Sequence, residues 1–250
     1  MIQQQRKVAA ESSASRSPSP VASIMSRLDI EPVSPEVLAE REAAAASKEA
    51  NRKAAENARR AELLAHRVGK RYAGVTLEGF EAGHDAQREV LKHVRDYSEN
   101  VEERIATGSG LFLIGPPGTG KDHLAIAVLF AAAAKGVNVH WTDGMELFAS
   151  ARDNIDTAKT EASWMHAYTN PTMLAISDPV PPLGSVKEGF QLATLFSIID
   201  RRYRDMKPTL LTLNVNDRDE AEKRMAPNIV DRLAHGALVL RCDWPSYRLK

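Results

Sequence analysis

The chain has 250 residues, of which 43% are hydrophobic and 26% are charged, a composition that supports one sizeable core with additional segments. Its 33 basic and 33 acidic side chains cancel, so any surface for nucleic acid has to be a local patch. The single cysteine, Cys242, excludes an internal disulfide and argues against a cysteine zinc site. The sequence starts without a secretory signal and has no apolar run long enough to span a bilayer, so we expect a cytoplasmic protein with no membrane partner.

The first 70 residues divide into two parts of different composition. Residues 1–34 are rich in Ser, Pro, Gln and Ala, and they predict a disordered tail or a segment that folds only on a partner. Residues 35–70 are dominated by the helix formers Ala, Glu, Lys and Arg, and Ser34 followed by Pro35 favours a helix start. This second part predicts a helical N-terminal arm. Its thin apolar stripe leaves open whether the arm is a solvated spacer, a coiled coil or a docking surface for a partner.

Short apolar runs alternate with helical stretches over residues 71–250. After a helical face at about 84–106, strands are predicted at 111–114, 137–141, 172–177, 209–215 and 237–241, with helices at 120–135, 143–167, 187–206 and 218–235. Alternation of this kind predicts an α/β fold whose five-stranded parallel sheet is covered by helices on both faces.

A glycine-rich loop between the first strand and the following helix carries the most specific chemical signal. It consists of Gly115, Pro116, Pro117, Gly118, Thr119, Gly120 and Lys121, followed by Asp122. Glycines allow the backbone N–H groups to turn toward phosphates, the helix start adds partial positive charge, and the lysine reaches the outer phosphates. We therefore predict that these eight residues form a phosphate cradle for ATP or ADP.

Two positions depart from the usual magnesium site of such a loop. Asp122 stands where a Ser or Thr hydroxyl normally binds Mg²⁺, and the strand 172–177 ends in Ser177 and Asp178 where two acidic residues are expected. One hypothesis is an exchange of positions, in which Asp122, Ser177 and Asp178 still hold Mg²⁺. The alternative is a degraded site that binds nucleotide poorly and does not hydrolyse it, because a carboxylate repels a triphosphate unless a cation lies between them. The chain is thus predicted to be a weak ATPase if the altered site functions.

Several motifs together resemble the DnaC/IstB group of AAA+ proteins, which are helicase loaders and their transposition-helper relatives. The matching pieces are the phosphate loop and the residues 198–203, 208–214, 230–233 and 243–248. They occur in the family's order from about Tyr72 onward. The resemblance implies an AAA+ ATP-binding domain over residues 71–250, without a C-terminal helical lid.

The resemblance also implies catalytic roles for three residues. Asp178 matches the acid that orients the attacking water, and Asn214 matches the sensor asparagine at a strand end, where ligands of parallel sheets gather. Arg232 matches an arginine finger that reaches the nucleotide of a neighbouring subunit and stabilises charge on the transferred phosphoryl group. An ordinary surface ion pair is the alternative for Arg232. Asn228 stands where relatives often carry a second arginine.

The partners implied by the resemblance are a replicative DNA helicase, single-stranded DNA, and further copies of the chain in a nucleotide-dependent homo-oligomer. Because residues 243–248 resemble the loader branch more closely, the leading prediction is an ATP-binding helicase loader that helps place the helicase on single-stranded DNA. The alternatives are an IstB-like transposition helper ATPase and a hydrolysis-deficient adaptor that mimics a loader. Two candidate DNA contacts stay open: Trp164 and Tyr168 form either a stacking face or part of the core, and the basic residues of 52–71 form either a solvated helix face or a contact surface.

Overall fold

The structure is a computed structural model that describes residues 34–156, 161–181 and 187–249. The chain separates into two compact units, residues 1–51 and 52–250. The residues predicted as a disordered tail fall, except for the last one, outside the described ranges, so their disorder stays a prediction. Within those ranges no helix is both long and apolar enough to cross a membrane.

Helix α1 (Pro35–Val68) begins where the alanine-rich composition predicts a helix. The Ser34 hydroxyl accepts a hydrogen bond from the backbone N–H of Val37 at 3.3 Å, which satisfies one of the free donors of the first turn. In the second unit the helix has a clear inner face, since Leu64 and Val68 are buried in a core cluster.

The second unit continues with strands and helices in alternation. The strands are β1 (Leu111–Ile114), β2 (Val139–Asp143), β3 (Met173–Ser177), β4 (Thr209–Leu213) and β5 (Leu238–Arg241). The further helices are α2 (Asp85–Glu99), α3 (Val101–Thr107), α4 (Lys121–Ala134), α5 (Gly144–Asp156), α6 (Glu161–Thr169), α7 (Glu188–Arg204), α8 (Arg218–Met225) and α9 (Pro227–Ala234). A short 3₁₀ turn, Tyr247–Leu249, follows β5, and the described chain has no helical lid after the sheet.

All five strands pair in parallel in the order β2-β3-β4-β1-β5, which confirms the predicted sheet. Parallel strands end at the same edge of a sheet, so this order brings the ends of β1, β3 and β4 together. The register aligns Ser177 at the end of β3 with Thr212 of β4, and Ile114 at the end of β1 with Leu213.

Two apolar clusters lie on the two faces of the sheet. Along β1, Leu111 and Leu113 belong to one cluster and Phe112 to the other, because successive side chains of a strand point to opposite faces. Helix α4 is buried on most of its surface, since it packs against the sheet and is in turn contacted by α2. Helices α7 and α9 pack against each other on the opposite side.

Three predicted helices are interrupted in the structure. The stretch 84–106 breaks at Asn100, and the stretch 218–235 breaks before Pro227, whose ring cannot donate a backbone hydrogen bond and whose predecessor Ala226 has a φ of 73°. The stretch 143–167 forms two helices, with residues 157–160 outside the described ranges.

Strand β2 begins two residues later than predicted, because the preceding residues complete the end of α4. Gly136 has a φ of 89°, and the N–H groups of Gly136 and Val137 donate to the carbonyls of Ala133 and Ala132. This pair of bonds satisfies helix carbonyls that would otherwise lack a donor. Val137 is therefore used as part of the helix cap instead of joining the sheet.

Candidate functional site

The phosphate loop connects the end of β1 to the start of α4 and has little room for side chains at its glycines. Gly115 has a φ of 138°, and a Cβ atom there would lie 2.4 Å from the carbonyl oxygen of Cys242. Gly118 has a φ of 83°, and a Cβ atom there would lie 1.9 Å from the hydroxyl of Ser246. These glycines are required both for the backbone conformation and for the close approach of residues that follow β5.

A cavity of about 300 Å³ opens beside this loop, at the carboxyl ends of the strands. Its lining residues include 117–122 of the loop, Ser177 and Asp178 after β3, and Thr212 and Asn214 at β4. Gly115 and Pro116 do not line the cavity, and their backbone carbonyls accept hydrogen bonds from the Lys121 ammonium group. The structure thus brings the predicted phosphate loop and the predicted metal residues to one place.

Lys121 is a buried cation without a carboxylate in hydrogen-bonding contact. Its ammonium group donates to the carbonyl oxygens of Gly115 at 2.8 Å and Pro116 at 2.7 Å, and the residue is 6% exposed. Burial is the main cause that lowers the pKa of Lys121, and the nearby carboxylates Asp122 and Asp178 act in the opposite direction. A cation held mainly by neutral carbonyls gains most from an anion such as a phosphate group.

Asp122 and Ser177 are in direct contact. The Ser177 hydroxyl donates to Oδ1 of Asp122 at 2.7 Å, and the Thr212 hydroxyl donates to the same oxygen at 2.6 Å. The exchange hypothesis requires the helix carboxylate and the strand hydroxyl to meet, and this geometry fulfils that requirement. Whether the pair binds a metal stays a prediction.

The oxygen atoms around Asp122 have the chemistry that Mg²⁺ prefers. Oδ2 of Asp122 is engaged by no hydrogen bond of the described residues, and Asp122, Ser177 and Asp178 all line the cavity. The described chain has no group of three or more His, Cys, Asp or Glu side chains that could hold a metal ion. A magnesium site here would therefore depend on hydroxyl, phosphate and water oxygens in addition to the two carboxylates.

Asp178 and Asn214, which the sequence singles out separately, are bonded to each other. The side-chain amide of Asn214 donates to Oδ2 of Asp178 at 2.8 Å, and its backbone N–H donates to Oδ1 at 3.2 Å. Asp178 has a φ of 45°, a left-handed conformation that is uncommon for residues other than glycine, and its N–H donates to the carbonyl of Thr212 at 2.8 Å. These contacts fix the acid and the amide at the edge of the cavity.

Arg232 does not line this cavity. It lies on α9, where its Nε atom donates to Asp200 of α7 at 3.0 Å and its Nη1 atom donates to the carbonyl of Asn228 at 3.0 Å. The guanidinium group also lies 4.9 Å from the ring centroid of Phe196. Arg232 thus forms the surface ion pair that was the alternative prediction, and a role at a neighbouring subunit stays a prediction.

The aromatic pair considered as a stacking face is part of the core. Tyr168 is buried, and its hydroxyl lies 2.8 Å from that of Ser150, which also accepts a hydrogen bond from the Trp164 indole at 3.1 Å. These contacts favour the core interpretation of Trp164 and Tyr168 over a surface for stacked bases.

Two features of the site were not predicted from the sequence. Thr212 is a partner of Asp122, and its only signal is a hydroxyl within an otherwise apolar run. The C-terminal segment, defined as residues 242–249, packs on the phosphate loop: the Trp244 indole donates to the carbonyl of Thr119 at 2.9 Å, and the Tyr247 N–H donates to that of Gly118 at 2.9 Å. From the sequence, residues 243–248 of this segment are predicted only to be a motif shared with the DnaC/IstB group, without a contact to the phosphate loop.

Known helicase loaders and insertion-sequence proteins are similar to this chain. The replicative helicase loader DnaC of Buchnera aphidicola subsp. Schizaphis graminum is 27% identical over 181 residues, which cover 71% of this chain and 70% of that protein. A protein of insertion sequence IS5376 from Geobacillus stearothermophilus, described by its name as ATP-binding, is 30% identical over 145 residues, covering 56% of this chain and 55% of its own. A crystal structure of the DnaC helicase loader matches with a TM-score of 0.62 at 25% identity, covering 69% of this chain and 99% of that one.

The match to a protein family extends over nearly the whole chain. The sequence model described as IstB-like ATP binding protein matches residues 9–250. The chain therefore belongs to the family of IstB-like ATP binding proteins.

Proposed function

We propose that the protein is an ATP-binding AAA+ helicase loader, which docks on a replicative DNA helicase and helps place it on single-stranded DNA during replication. Nucleotide binding is supported by one observation above all: the buried Lys121 ammonium lies at the phosphate loop, beside the carboxylates and hydroxyls at the ends of β3 and β4. The similarity to DnaC proteins supports the loader part.

The cavity has groups that can bind the phosphates of a nucleotide and others that can contact its nucleobase. The backbone N–H groups at the start of α4 and the Lys121 ammonium would bind the phosphates. Tyr72 and Phe80 line the cavity from the segment before α2, and their aromatic rings offer apolar faces for a nucleobase. Isothermal titration of ATP tests this assignment, and Lys121→Ala is expected to abolish detectable binding.

The residues around Asp122 would hold magnesium in an exchanged arrangement. Asp122 and Asp178 would provide carboxylate oxygens and Ser177 a hydroxyl oxygen, while Thr212 holds the Asp122 carboxylate in place. Magnesium, when bound, supplies positive charge that neutralises phosphate oxygens. The second carboxylate oxygen of Asp122 supports this assignment because no described residue engages it.

We further propose that hydrolysis is slow and depends on Asp178 and Asn214. Asp178 would accept a hydrogen bond from the attacking water and orient it, and the Asn214 amide would hold Asp178 or contact the terminal phosphate. Arg232 would act from a neighbouring subunit of a nucleotide-dependent homo-oligomer. ATP turnover with and without single-stranded DNA tests these roles, with Asp178→Asn expected to remove turnover and retain ATP binding.

The exposed part of α1 supports docking on the helicase. Val37 and Leu38 are 39% and 47% exposed on a helix that is otherwise rich in alanine and charge. We expect Val37→Asp with Leu38→Asp to reduce capture of a replicative helicase in a pull-down and to leave ATP binding unchanged. Ala43→Asp is the matched control, because Ala43 is exposed and helical spacing places it on the side of the same helix that faces away from Val37 and Leu38.

A transposition helper is the second candidate function. The IstB-like family description favours it, and so does the relative from an insertion sequence, because insertion sequences are mobile elements. Parallel pull-downs with a replicative helicase and with an insertion-sequence transposase distinguish the two functions. Capture of the helicase alone supports the loader, and capture of the transposase alone supports the helper.

A further inference from the structure

The part of α1 that belongs to the second unit carries an excess of positive charge. Residues 52–71 contain seven arginine and lysine side chains and two glutamates, whereas the basic and acidic side chains of the whole chain balance. Arg59, His66 and Arg67 are exposed, and their spacing of seven and eight residues places them on one side of the helix. Such a concentration of charge in a neutral chain indicates a local surface for an anionic partner.

This part of the helix has a fixed position beside the sheet. Its apolar inner face is buried in the core cluster that also includes most of α4. The Asn57 side-chain amide donates to the carbonyl of Ala134, at the end of α4, at 2.9 Å. The Arg67 guanidinium group lies 3.2 Å from Nε2 of His140 on β2. The basic side of the helix is therefore held next to β2, which is an edge strand of the sheet.

A groove of about 600 Å³ runs between the helix and this edge strand. Its lining residues are Arg60, Leu63, Leu64, His66 and Arg67 of the helix, and Asn138, Val139, His140 and Glu146 of the sheet edge and α5. Among these described residues Glu146 is the single acid, and the Leu63 side chain is 62% exposed. The groove thus combines cations with apolar side chains that solvent can reach.

The positive charge on this side of the helix is only partly balanced. Arg60 forms an ion pair with Glu56. Arg67 instead contacts a neutral imidazole, because burial, followed by two nearby arginines, lowers the pKa of His140 to about 4. Arg59 makes no hydrogen bond or ion pair with the residues that the structure describes. Two guanidinium groups, those of Arg59 and Arg67, therefore lack an acidic partner within the described chain.

This mixture of groups fits an unpaired nucleic-acid strand. Guanidinium groups bind phosphate oxygens through their planar fork of N–H donors. An unpaired strand also exposes the faces of its bases, which pack on imidazole rings, guanidinium planes and apolar side chains such as Leu63. The bases of a duplex are stacked inside the helix, and an acidic peptide has no such faces. Neither of these would use the apolar part of the groove in the same way.

We propose that the groove between α1 and β2 binds single-stranded DNA, with Arg59 and Arg67 contacting its phosphates and Leu63 and His66 contacting its bases. This inference rests on the proposed action of the protein on single-stranded DNA, for which it names a surface. None of the described residues that line the groove also lines the nucleotide cavity. Binding of DNA in the groove and binding of ATP are therefore separable by mutation.

Fluorescence anisotropy of a labelled DNA single strand, titrated with the full chain, tests the proposal. We expect Arg59→Ala with Arg67→Ala to bind about tenfold or more weakly at low salt, because two hydrogen-bonding contacts to charged groups are lost. The plot of log affinity against log salt should become shallower by about 1.4, since each phosphate contact to a single strand contributes about 0.7 to the slope. Arg201→Ala with Lys223→Ala is the control and should bind like the wild type. It removes the same charge from exposed positions of α7 and α8, whose apolar residues pack on the other face of the sheet.

Competition experiments identify the occupant of the groove. Unlabelled duplex of the same sequence and poly-glutamate should each displace the labelled strand much more weakly than unlabelled single strand does. Leu63→Ser should reduce this preference, because it removes an apolar contact for a base. Displacement by the duplex or by poly-glutamate that is as effective as displacement by the single strand would refute a single-stranded occupant.

The outcomes separate this inference from the proposed function. A wild type that binds no single-stranded DNA, with or without ATP, would contradict both. A wild type that binds the strand, together with an equally tight double variant of unchanged salt slope, would refute the groove alone. Calorimetric titration should give the double variant the ATP affinity of the wild type, and a loss of that affinity would refute the separation of the two sites. Thermal denaturation checks the fold, and Arg59→Ala alone, expected to reduce the salt slope by about 0.7, provides the test if the double variant is unstable.

Discussion

Exchanging the residues at positions 122 and 177, singly and together, measures whether Asp122 and Ser177 act as one metal-binding pair. Ser177→Asp alone places a second carboxylate where a hydroxyl now lies 2.7 Å from Asp122. Two unit charges about 4 Å apart repel by about 4 kcal/mol at an effective dielectric constant of about 20. Asp122→Thr alone removes the carboxylate that accepts two hydroxyl hydrogen bonds, and hydrogen bonds to a charged group contribute about 1.5–3 kcal/mol each.

The double variant restores one carboxylate and one hydroxyl, in the exchanged positions. We therefore expect each single change to weaken magnesium-dependent ATP binding and the double change to recover it, with a coupling free energy of about 1–3 kcal/mol. Calorimetric titration of the four proteins with ATP and Mg²⁺ gives this coupling directly. Thr212→Val is the control without a charge change, and it should lower the free energy of ATP binding by no more than about 1.5–3 kcal/mol, the value of one hydrogen bond to a carboxylate. The exchange hypothesis fails if either single variant binds ATP and Mg²⁺ more tightly than the wild type.

Three further predictions concern the scaffold. Gly118→Ala should unfold at a lower temperature than the wild type and bind ATP poorly, because the added Cβ would lie 1.9 Å from the hydroxyl of Ser246. Gly189→Ala is the control and should behave like the wild type, because its added Cβ would have no atom within 4 Å. Arg202 is fully buried and donates to four backbone carbonyls. In a urea titration, Arg202→Met should therefore lower the free energy of unfolding by more than about 3 kcal/mol, whereas Arg201→Met, at an exposed position, should lower it by about 0.5 kcal/mol or less. Burial, and to a lesser extent the nearby arginines, lowers the pKa of His140 from 6.5 to about 4. The unfolded chain therefore binds a proton at a higher pH than the folded chain does, and the free energy of unfolding should fall as the pH drops through this interval. In His140→Gln this part of the pH dependence should disappear.

The phosphate loop and the parallel sheet were predictable because their signals are local. The glycines of 115–120 and the apolar strand before them specify the backbone conformation of the loop, and the phosphate-binding Lys121 follows directly. The helix breaks at Asn100 and Ala226 were missed, although Pro227 marks one of them, because the periodicity of apolar residues continues across both breaks.

The contact between Asp122 and Ser177 was also predictable, because the fold fixes the positions that follow the loop lysine and end the third strand. The role of Thr212 was not, since it depends on the register that sets this residue beside Ser177. The contact of Trp244 with Thr119 joins residues 125 positions apart, and no local pattern indicates such a pair.

ATP affinity of the unmodified protein, measured by calorimetry with Mg²⁺ and again with a chelator, tests the central claim most directly. A phosphate loop that works with an Asp122-based magnesium site predicts measurable ATP binding that is tighter with Mg²⁺ and is lost in Lys121→Ala. No detectable binding of ATP or ADP under either condition would contradict the account and would leave the adaptor that mimics a loader as the remaining hypothesis.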